Sequence, residues 1–246
     1  MYNFNGLHVG IIMEGNGRWA AKQGLTRYHG HRAGAKAVRS CVKAAPDLGV
    51  NILTLYAFSS DNWKRPEHEI KLLFRLFERY LQNEIEECQA NGVRLQIIGR
   101  RDRLGNGLLN SIELAENETR SCSELLLRLA IDYSARHAIL EAAQSLSENQ
   151  ATYSSGLDYN REFNKLVTQQ PEDISSLQEV DLIIRTGGEK RLSDFLLWEG
   201  AYAELYFTDL MWPDFNITNL ESAITDFHSR ERRFGCVSIP NTNCYV

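Results

Sequence analysis

The chain has no apolar run near the roughly 18 residues that a membrane-crossing helix requires, and no secretory signal at its start. It is therefore expected in the cytoplasm, with at most peripheral membrane contact. Its cysteines, Cys41, Cys88, Cys122, Cys236 and Cys244, are few, scattered and odd in number, and none forms a C-x-x-C pair. That usage belongs to a reducing compartment and indicates neither a disulfide framework nor a zinc site. Positive charge is also short. Lys and Arg total 27 against 32 Asp and Glu, so the net charge of −5 argues against nucleic acid as a partner. There is no P-loop, no Ser nucleophile elbow, no internal repeat and no linker. What remains is an ordinary globular composition, 43% hydrophobic and 24% charged over 246 residues, suited to one domain spanning 1–246.

Short β-rich apolar runs alternate with longer helical patterns, the mark of an α/β fold with a central, mostly parallel sheet. Strands are expected at 7–12, 51–58, 93–98, 124–131, 180–185 and 205–207. Helices are expected after Arg18 and over 31–48, 66–90, 104–122, 136–147 and 219–230. The segment 148–179 is polar and poorly periodic, with short helices around 159–166, and is expected to face solvent. The 66–90 helix carries Ile70, Leu73, Phe74, Phe77, Leu81 and Ile85 at helical spacing, with Leu72, Leu76 and Tyr80 beside them. So wide an apolar face fits either a helix sandwiched between sheet and a second subunit, or the wall of a greasy cavity.

In a parallel sheet, ligands bind beyond the carboxyl ends of the strands. Three strands here end in polar loops: Glu14-Gly15-Asn16-Gly17-Arg18-Trp19, Ser59-Ser60-Asp61-Asn62-Trp63-Lys64-Arg65, and the run from Arg185 to Ser193. A strand that ends in a glycine turn opening a helix presents free N–H groups to an anion. The arginines at these ends, Arg18, Arg65, Arg185 and Arg191, with Arg27 and His31 behind the first turn, suit diphosphate oxygens. Glu14 would repel a phosphate unless a divalent cation lay between them, so a diphosphate-plus-magnesium site is expected. Gly15-Asn16-Gly17-Arg18-Trp19-Ala20 also matches a dinucleotide fingerprint. The acid that fingerprint needs about 20 residues on is missing, because the second strand ends near Phe58 in Ser-Ser-Asp-Asn-Trp.

The runs HVGIIMEGNGRWA, LYAFSSDNWKRP and DLIIRTGGEKRLSDFLLWEGAYAELYF, with the His29-Gly30-His31 turn and Gly34, strongly resemble the cis-prenyltransferases of the undecaprenyl diphosphate synthase (isoprenyl transferase) type, from His8 to Gly235. The resemblance implies a homodimeric, Mg²⁺-dependent transferase that extends an allylic diphosphate (farnesyl or shorter) with isopentenyl diphosphate and sets each new double bond cis. The product grows into a tunnel beside the sheet, its floor expected near residues 104–127. The aspartate-rich D-D-x-x-D pair of trans-prenyltransferases is absent, as the resemblance requires. Carried over by position, Gly15, Asn16, Gly17, Arg18, Arg27 and His31 would hold the allylic diphosphate. Glu14 and Glu204 would hold the metal. Arg185, Arg191, Leu192 and Ser193 would clamp isopentenyl diphosphate, helped by residues 230–235 of a partner subunit. Asn62 takes the place of the proposed proton acceptor. Ser59, Ser60 and Asp61 share its loop, Trp63 and Trp19 would wall the substrate, and Arg65 would support the loop.

The chain departs from the family pattern in three places: Glu14 replaces Asp, Asp61 replaces the common Glu, and Asp132-Tyr133-Ser134-Ala135-Arg136 replaces N-Y-G-G-R. One added methylene on a magnesium ligand displaces the ion, because Mg²⁺ demands near-ideal octahedral geometry. Glu14 and Asp61 can offset each other if they share a hydrogen-bond network. Two further readings follow from the altered acids: a specialised paralogue making a short or irregular prenyl diphosphate, and a non-catalytic lipid-binding partner subunit. The retained arginines and Asn62 speak against the second of these.

Overall fold

A computed structural model describes residues 6–148, 156–174 and 179–232. Six strands form one sheet: β1 (Leu7–Ile12), β2 (Val50–Ser59), β3 (Val93–Ile98), β4 (Leu125–Tyr133), β5 (Leu182–Arg185) and β6 (Glu204–Phe207). Their order is β3-β4-β2-β1-β5-β6, and every neighbouring pair is parallel. Among the described residues seven α-helices accompany the sheet, the last of them after β6: α1 (Asn16–Lys22), α2 (Arg27–Ala44), α3 (Glu67–Ala90), α4 (Asn106–Glu118), α5 (Ala135–Glu148), α6 (Gly156–Thr168) and α7 (Ile217–Ser229).

The sheet is buried on both faces, so its strands read as continuous Val, Ile and Leu runs. Val9, Ile11, Leu53, Leu55, Leu95 and Leu127 point to one face, where α2, α3, α4 and α7 pack through Cys41, Leu73, Ile112 and Phe227. Ile12, Ile98, Ala130 and Ile183 point to the other, against Phe195, Leu196 and the start of α5. The crossover from β1 to β2 lies on the first face and that from β4 to β5 on the second. The loops after β1 and β5 thus diverge at a switch point, where such sheets open a crevice.

Several sequence expectations shift. The second helix begins at Arg27 and stops at Ala44, with a 3₁₀ turn over Pro46–Leu48 before Gly49 takes φ 75°. The fourth strand continues to Tyr133, which removes Asp132 from the surface loop and buries it at 0% exposure. Segment 148–179 is not merely a solvated tract. Val167 and Ile174 within it are buried, and the Thr168 carbonyl accepts from the wholly buried Arg128 Nη2. A buried guanidinium needs such partners, and no periodicity in the segment announces one.

Close approach of α2 to α1 rests on small residues. A Cβ on Gly30 would lie 2.0 Å from the Asn16 carbonyl oxygen, and one on Gly34 would lie 2.3 Å from Asn16 Oδ1. Gly30→Ala is expected to destabilise the protein by about 1–3 kcal/mol through overpacking. Gly105→Ala, where a Cβ meets open space, should stay within about 0.5 kcal/mol. Thermal denaturation of the two variants checks the contrast.

Candidate active site

The corner after β1 is fixed by its backbone. The Glu14 carbonyl accepts from the Trp212 N–H at 2.9 Å and from Thr186 Oγ1 at 2.8 Å. Gly15 then takes φ 105°, and a Cβ there would press on Met211 at 3.0 Å. Helix α1 has only seven residues, so its dipole is small, and the charge of the cradle must come from side chains. Arg18 Nη2 and Arg185 Nη2 stand 3.9 and 3.8 Å from the Glu14 carboxylate, whose Oε2 also accepts from the Gly15 N–H at 3.2 Å. Gly187, at φ 82°, brings the β5 loop against Glu14, and a Cβ there would lie 2.7 Å from Arg18 Nη2.

Arg185 is the innermost of these arginines, with 2% of its side chain exposed. Its Nη1 donates to the Arg191 carbonyl and, at 2.8 Å, to Ser193 Oγ, while its buried Nε has no partner among the described residues. Burial holds its pKa below the usual arginine value, and the Glu14 carboxylate opposes that shift. Ser193 and Asp194 adopt φ 51° and 63°, a strained pair that turns the Ser193 hydroxyl toward Arg185. Arg27 and Arg65 meet on one carboxylate, Glu69, at 3.2 and 3.4 Å. Beside them His31 Nε2 is buried without a partner among the described residues, and burial, then the Arg65 charge, push its pKa down to about 4.

The loop after β2 is a 3₁₀ helix, Ser60–Lys64, with a capping box. Asn62 Oδ1 accepts from the Ser59 N–H at 3.2 Å, and Ser59 Oγ accepts from the Asp61 N–H at 3.2 Å. The Ser59 N–H fixes which way the Asn62 amide faces. Its oxygen is committed, and its NH₂ is the group left for the cavity. The loop thus turns the Asn62 NH₂ away from the Ser59 N–H that its oxygen accepts.

A cavity of about 800 Å³ joins these parts. Its mouth is lined by Glu14, Gly15, Asn16, Gly17, Arg18, Arg27, His31, Ser59, Asp61, Asn62, Arg65, Arg185, Arg191 and Ser193. It continues between α2 and α3 past Leu73, Leu76, Phe77, Tyr80 and Leu81, over Leu95, Leu127, Leu129 and Ile131 of the sheet. Of the two readings of the α3 face, the greasy wall is the one seen. Ile70 and Ile85 belong instead to the core or its margin. The floor is built by β3 and β4; of the expected 104–127 region, Leu104 and Leu108 are core residues and Leu127 lines the cavity.

Five expected site residues stand elsewhere. Trp19 Nε1 donates to Asp214 at 2.7 Å on the flank of the cradle. Trp63 packs edge-on against Phe58 and Phe74, under Arg103 at 5.2 Å. Ser60 Oγ donates to Asp132 Oδ1 at 2.9 Å, and Leu192 packs on the second core cluster. Glu204 starts β6, in register with Leu182, whereas the cradle lies at the level of Arg185 and beyond. It is paired with Arg230 at 2.7 Å, so one chain does not bring it to Glu14. The reason is the sheet's polarity: the amino end of a parallel strand lies on the edge away from the site. Nor do Glu14 and Asp61 share partners, since Asp61 is exposed and pairs with Lys64 at 2.7 Å. Of the 230–235 stretch, residues 233–235 lie outside the described residues.

Sequence reasoning missed Glu69, which gathers two arginines, and Thr186 and Trp212, which fix the Glu14 carbonyl. Glu69 carried only the signal of an acid at a helix start, and Trp212 carried none. It also missed Asp132, a buried carboxylate bonded by Arg103 Nε at 2.8 Å and by Ser60, which braces the Asn62 loop from behind.

Arginines around the Glu14 carboxylate and an apolar cavity on a single sheet edge suit an amphiphile with a diphosphate head and a hydrocarbon tail. A family profile described as undecaprenyl diphosphate synthase matches residues 12–235. Isoprenyl transferase 1 of Bradyrhizobium diazoefficiens is 55% identical over 93% of this chain and 89% of its own length. A (2E,6E)-farnesyl-diphosphate-specific ditrans,polycis-undecaprenyl-diphosphate synthase of Shewanella oneidensis is 48% identical over 93% of this chain and 82% of its own. The crystal structure of lavandulyl diphosphate synthase from Lavandula x intermedia with dimethylallyl diphosphate matches with a TM-score of 0.86 at 30% identity, over 94% of this chain and 99% of that one. The chain belongs to the undecaprenyl diphosphate synthase family of cis-prenyltransferases.

His31 supplies a prediction with a sign. The unfolded chain takes up this proton near pH 6.5 and the fold resists it until about 4, so the unfolded state holds more protons between those values. Stability should fall as pH drops from 6.5 toward 4, and His31→Gln should flatten that part of a melting-temperature-against-pH curve. The separate partners of Glu14 and Asp61 supply another. In a cycle of Glu14→Asp, Asp61→Glu and the double variant, effects on kcat/KM should add to within about 0.5 kcal/mol.

Proposed function

We propose that this enzyme condenses isopentenyl diphosphate with an allylic diphosphate, farnesyl diphosphate being the preferred primer, to make a long cis-polyprenyl diphosphate as a homodimer. The observation that carries the reading is the continuity of the arginine-lined cradle with the apolar cavity between α2 and α3. The Shewanella oneidensis relative is a (2E,6E)-farnesyl-diphosphate-specific synthase, and its 48% identity supports the same primer for this chain.

In this reading Gly15, Asn16, Gly17 and Arg18 receive the allylic diphosphate, with Arg27 and His31 at its side. Burial and the neighbouring Arg65 hold His31 neutral, and an arriving anion favours its protonation. Arg185, Arg191 and Ser193 hold the second diphosphate. Magnesium binds through one or two carboxylates together with substrate phosphates and water. Glu14 fits such a shared site, because its carboxylate is 44% exposed at the meeting point of two arginines. Among the described residues no group of three His, Cys, Asp or Glu could cage an ion unaided. When bound, the ion would offset charge on the departing diphosphate.

The allylic carbon–oxygen bond breaks and its electron pair leaves with the diphosphate. The double bond of isopentenyl diphosphate then forms the new carbon–carbon bond, and a proton is lost from the carbon beside it. The Asn62 NH₂ donates a hydrogen bond to a diphosphate oxygen, and that oxygen takes the proton. The greasy walls exclude water from the cationic centre.

The test incubates purified protein with Mg²⁺, labelled isopentenyl diphosphate and dimethylallyl, geranyl or farnesyl diphosphate, and sizes the products. Long products from farnesyl diphosphate are expected. Short products from dimethylallyl diphosphate alone would point to the specialised paralogue, and absence of turnover would leave a lipid-binding subunit. Asn62→Ala should lower kcat by about 100-fold or more with the primer's KM little changed, as for loss of one preorganised donor.

A further inference from the structure

Helices α2 and α3 run side by side from the cradle toward the far edge of the sheet, and the cavity lies between and beneath them. Two arginine–glutamate pairs cross the slot between the helices. Arg27–Glu69 crosses at the cradle, at 3.2 Å. Arg39–Glu84 crosses lower down: Arg39 Nε donates to Glu84 Oε2 at 2.9 Å and its Nη2 donates to Glu84 Oε1. The second pair lies 12 residues along α2, about 18 Å from the first at the helical rise. Arg39 also covers the ring of Tyr80, one turn before Glu84, at 5.9 Å from its centroid.

Both members of this pair line the cavity, and so do Lys43 and Glu87 one turn further on. On the cradle side of the pair the slot is apolar, lined by Val38 on α2 and by Phe77 and Leu81 on α3, while Val42 stands beside Lys43 on the far side. Charge thus enters the slot at the level of Arg39 and Glu84. Arg39 is 56% exposed along its side chain and Glu84 19%, so the pair is half in water. Such a pair contributes little to fold stability. Its position across a greasy passage still matters, because an alkyl chain cannot replace the hydrogen bonds of either ion.

We propose that the Arg39–Glu84 pair, seated on Tyr80, is a clasp across the lateral slot that sets the length at which chain growth ends. The inference rests on the prenyl-chain-elongating reading given above. A growing tail fills the apolar part of the cavity at no cost to the clasp. Once the cavity is full, each further unit must push between α2 and α3 and part the ion pair, so elongation slows there and the product is released. Arg39 and Glu84 are positioning residues in this scheme, since neither touches the reacting atoms.

The experiment compares wild type, Arg39→Ala, Glu84→Gln and the charge-swapped Arg39→Glu/Glu84→Arg protein. Each is assayed with Mg²⁺, farnesyl diphosphate and labelled isopentenyl diphosphate, and the product ladder is sized beside a single-turnover measurement of the first condensation. Both single variants should shift the ladder longer by at least one isoprene unit while the first condensation stays within twofold. The swapped protein should return to the wild-type ladder. A ladder unchanged in both single variants overturns the clasp, whatever their melting temperatures. So does a swap that restores stability without restoring length. No product from the wild type instead sinks the elongation reading, and the clasp's role with it. Glu84→Gln, nearly isosteric, keeps the test decisive if Arg39→Ala folds poorly.

Discussion

The carbonyl oxygen of Glu14 holds three separate parts of the chain together. It accepts from Thr186 in the loop after β5 and from the Trp212 N–H in the segment before α7, at 2.8 and 2.9 Å. Trp212 in turn donates its ring N–H to the Gly34 carbonyl of α2 at 2.9 Å. The corner is therefore tied to the neighbouring strand, to the chain's last third and to the first crossover helix. Gly15 and Gly187, both at positive φ, are the residues that let these backbones meet. A bulkier residue at either point would separate the two arginines from the carboxylate between them.

That corner also explains the electrostatics. A seven-residue helix offers few N–H groups and little dipole, so the cradle draws its positive charge from Arg18, Arg27, Arg65 and Arg185. Without an anion these charges have local counterions: Glu14 faces Arg18 and Arg185, and Glu69 faces Arg27 and Arg65. In the proposed function, an arriving diphosphate would exchange one set of oxygens for another on preplaced arginines. The cost of reorganisation is small because Arg185 is already held by Ser193 and the Arg191 carbonyl.

The second constraint is the spacing of α2 and α3. Near the cradle the glycines of α2 admit α1, and farther along an apolar cavity lies between α2 and α3. Such a cavity costs packing energy in the empty protein. The structure tolerates it because α3 retains Ile70, Leu73, Leu76 and Leu81 in the core. One wide stripe thus serves both core and cavity, which is why its width exceeded what a single sheet contact needs.

The strand–helix alternation, the parallel sheet and the polar strand ends could be read from the sequence because each is written in local periodicity and in residues confined to short windows. The glycine turn, the arginines and the family motifs belong to the same local record. Other features depended on which distant residues the fold brings together. Asp132 moved from loop to buried strand end because it meets Arg103 and Ser60. Trp63 left the cavity wall because Phe58 and Phe74 enclose it. The Asn62 amide takes its orientation from the Ser59 N–H, which its oxygen accepts. Glu204 fell on the far edge because strand polarity, not motif membership, decides which end of β6 faces the site. The sequence by itself placed a carboxylate after the first strand, just ahead of a glycine turn and an arginine. Only the tertiary structure decided what that carboxylate meets across the fold, since Arg185 lies 171 positions away and spacing along the chain carries no record of it.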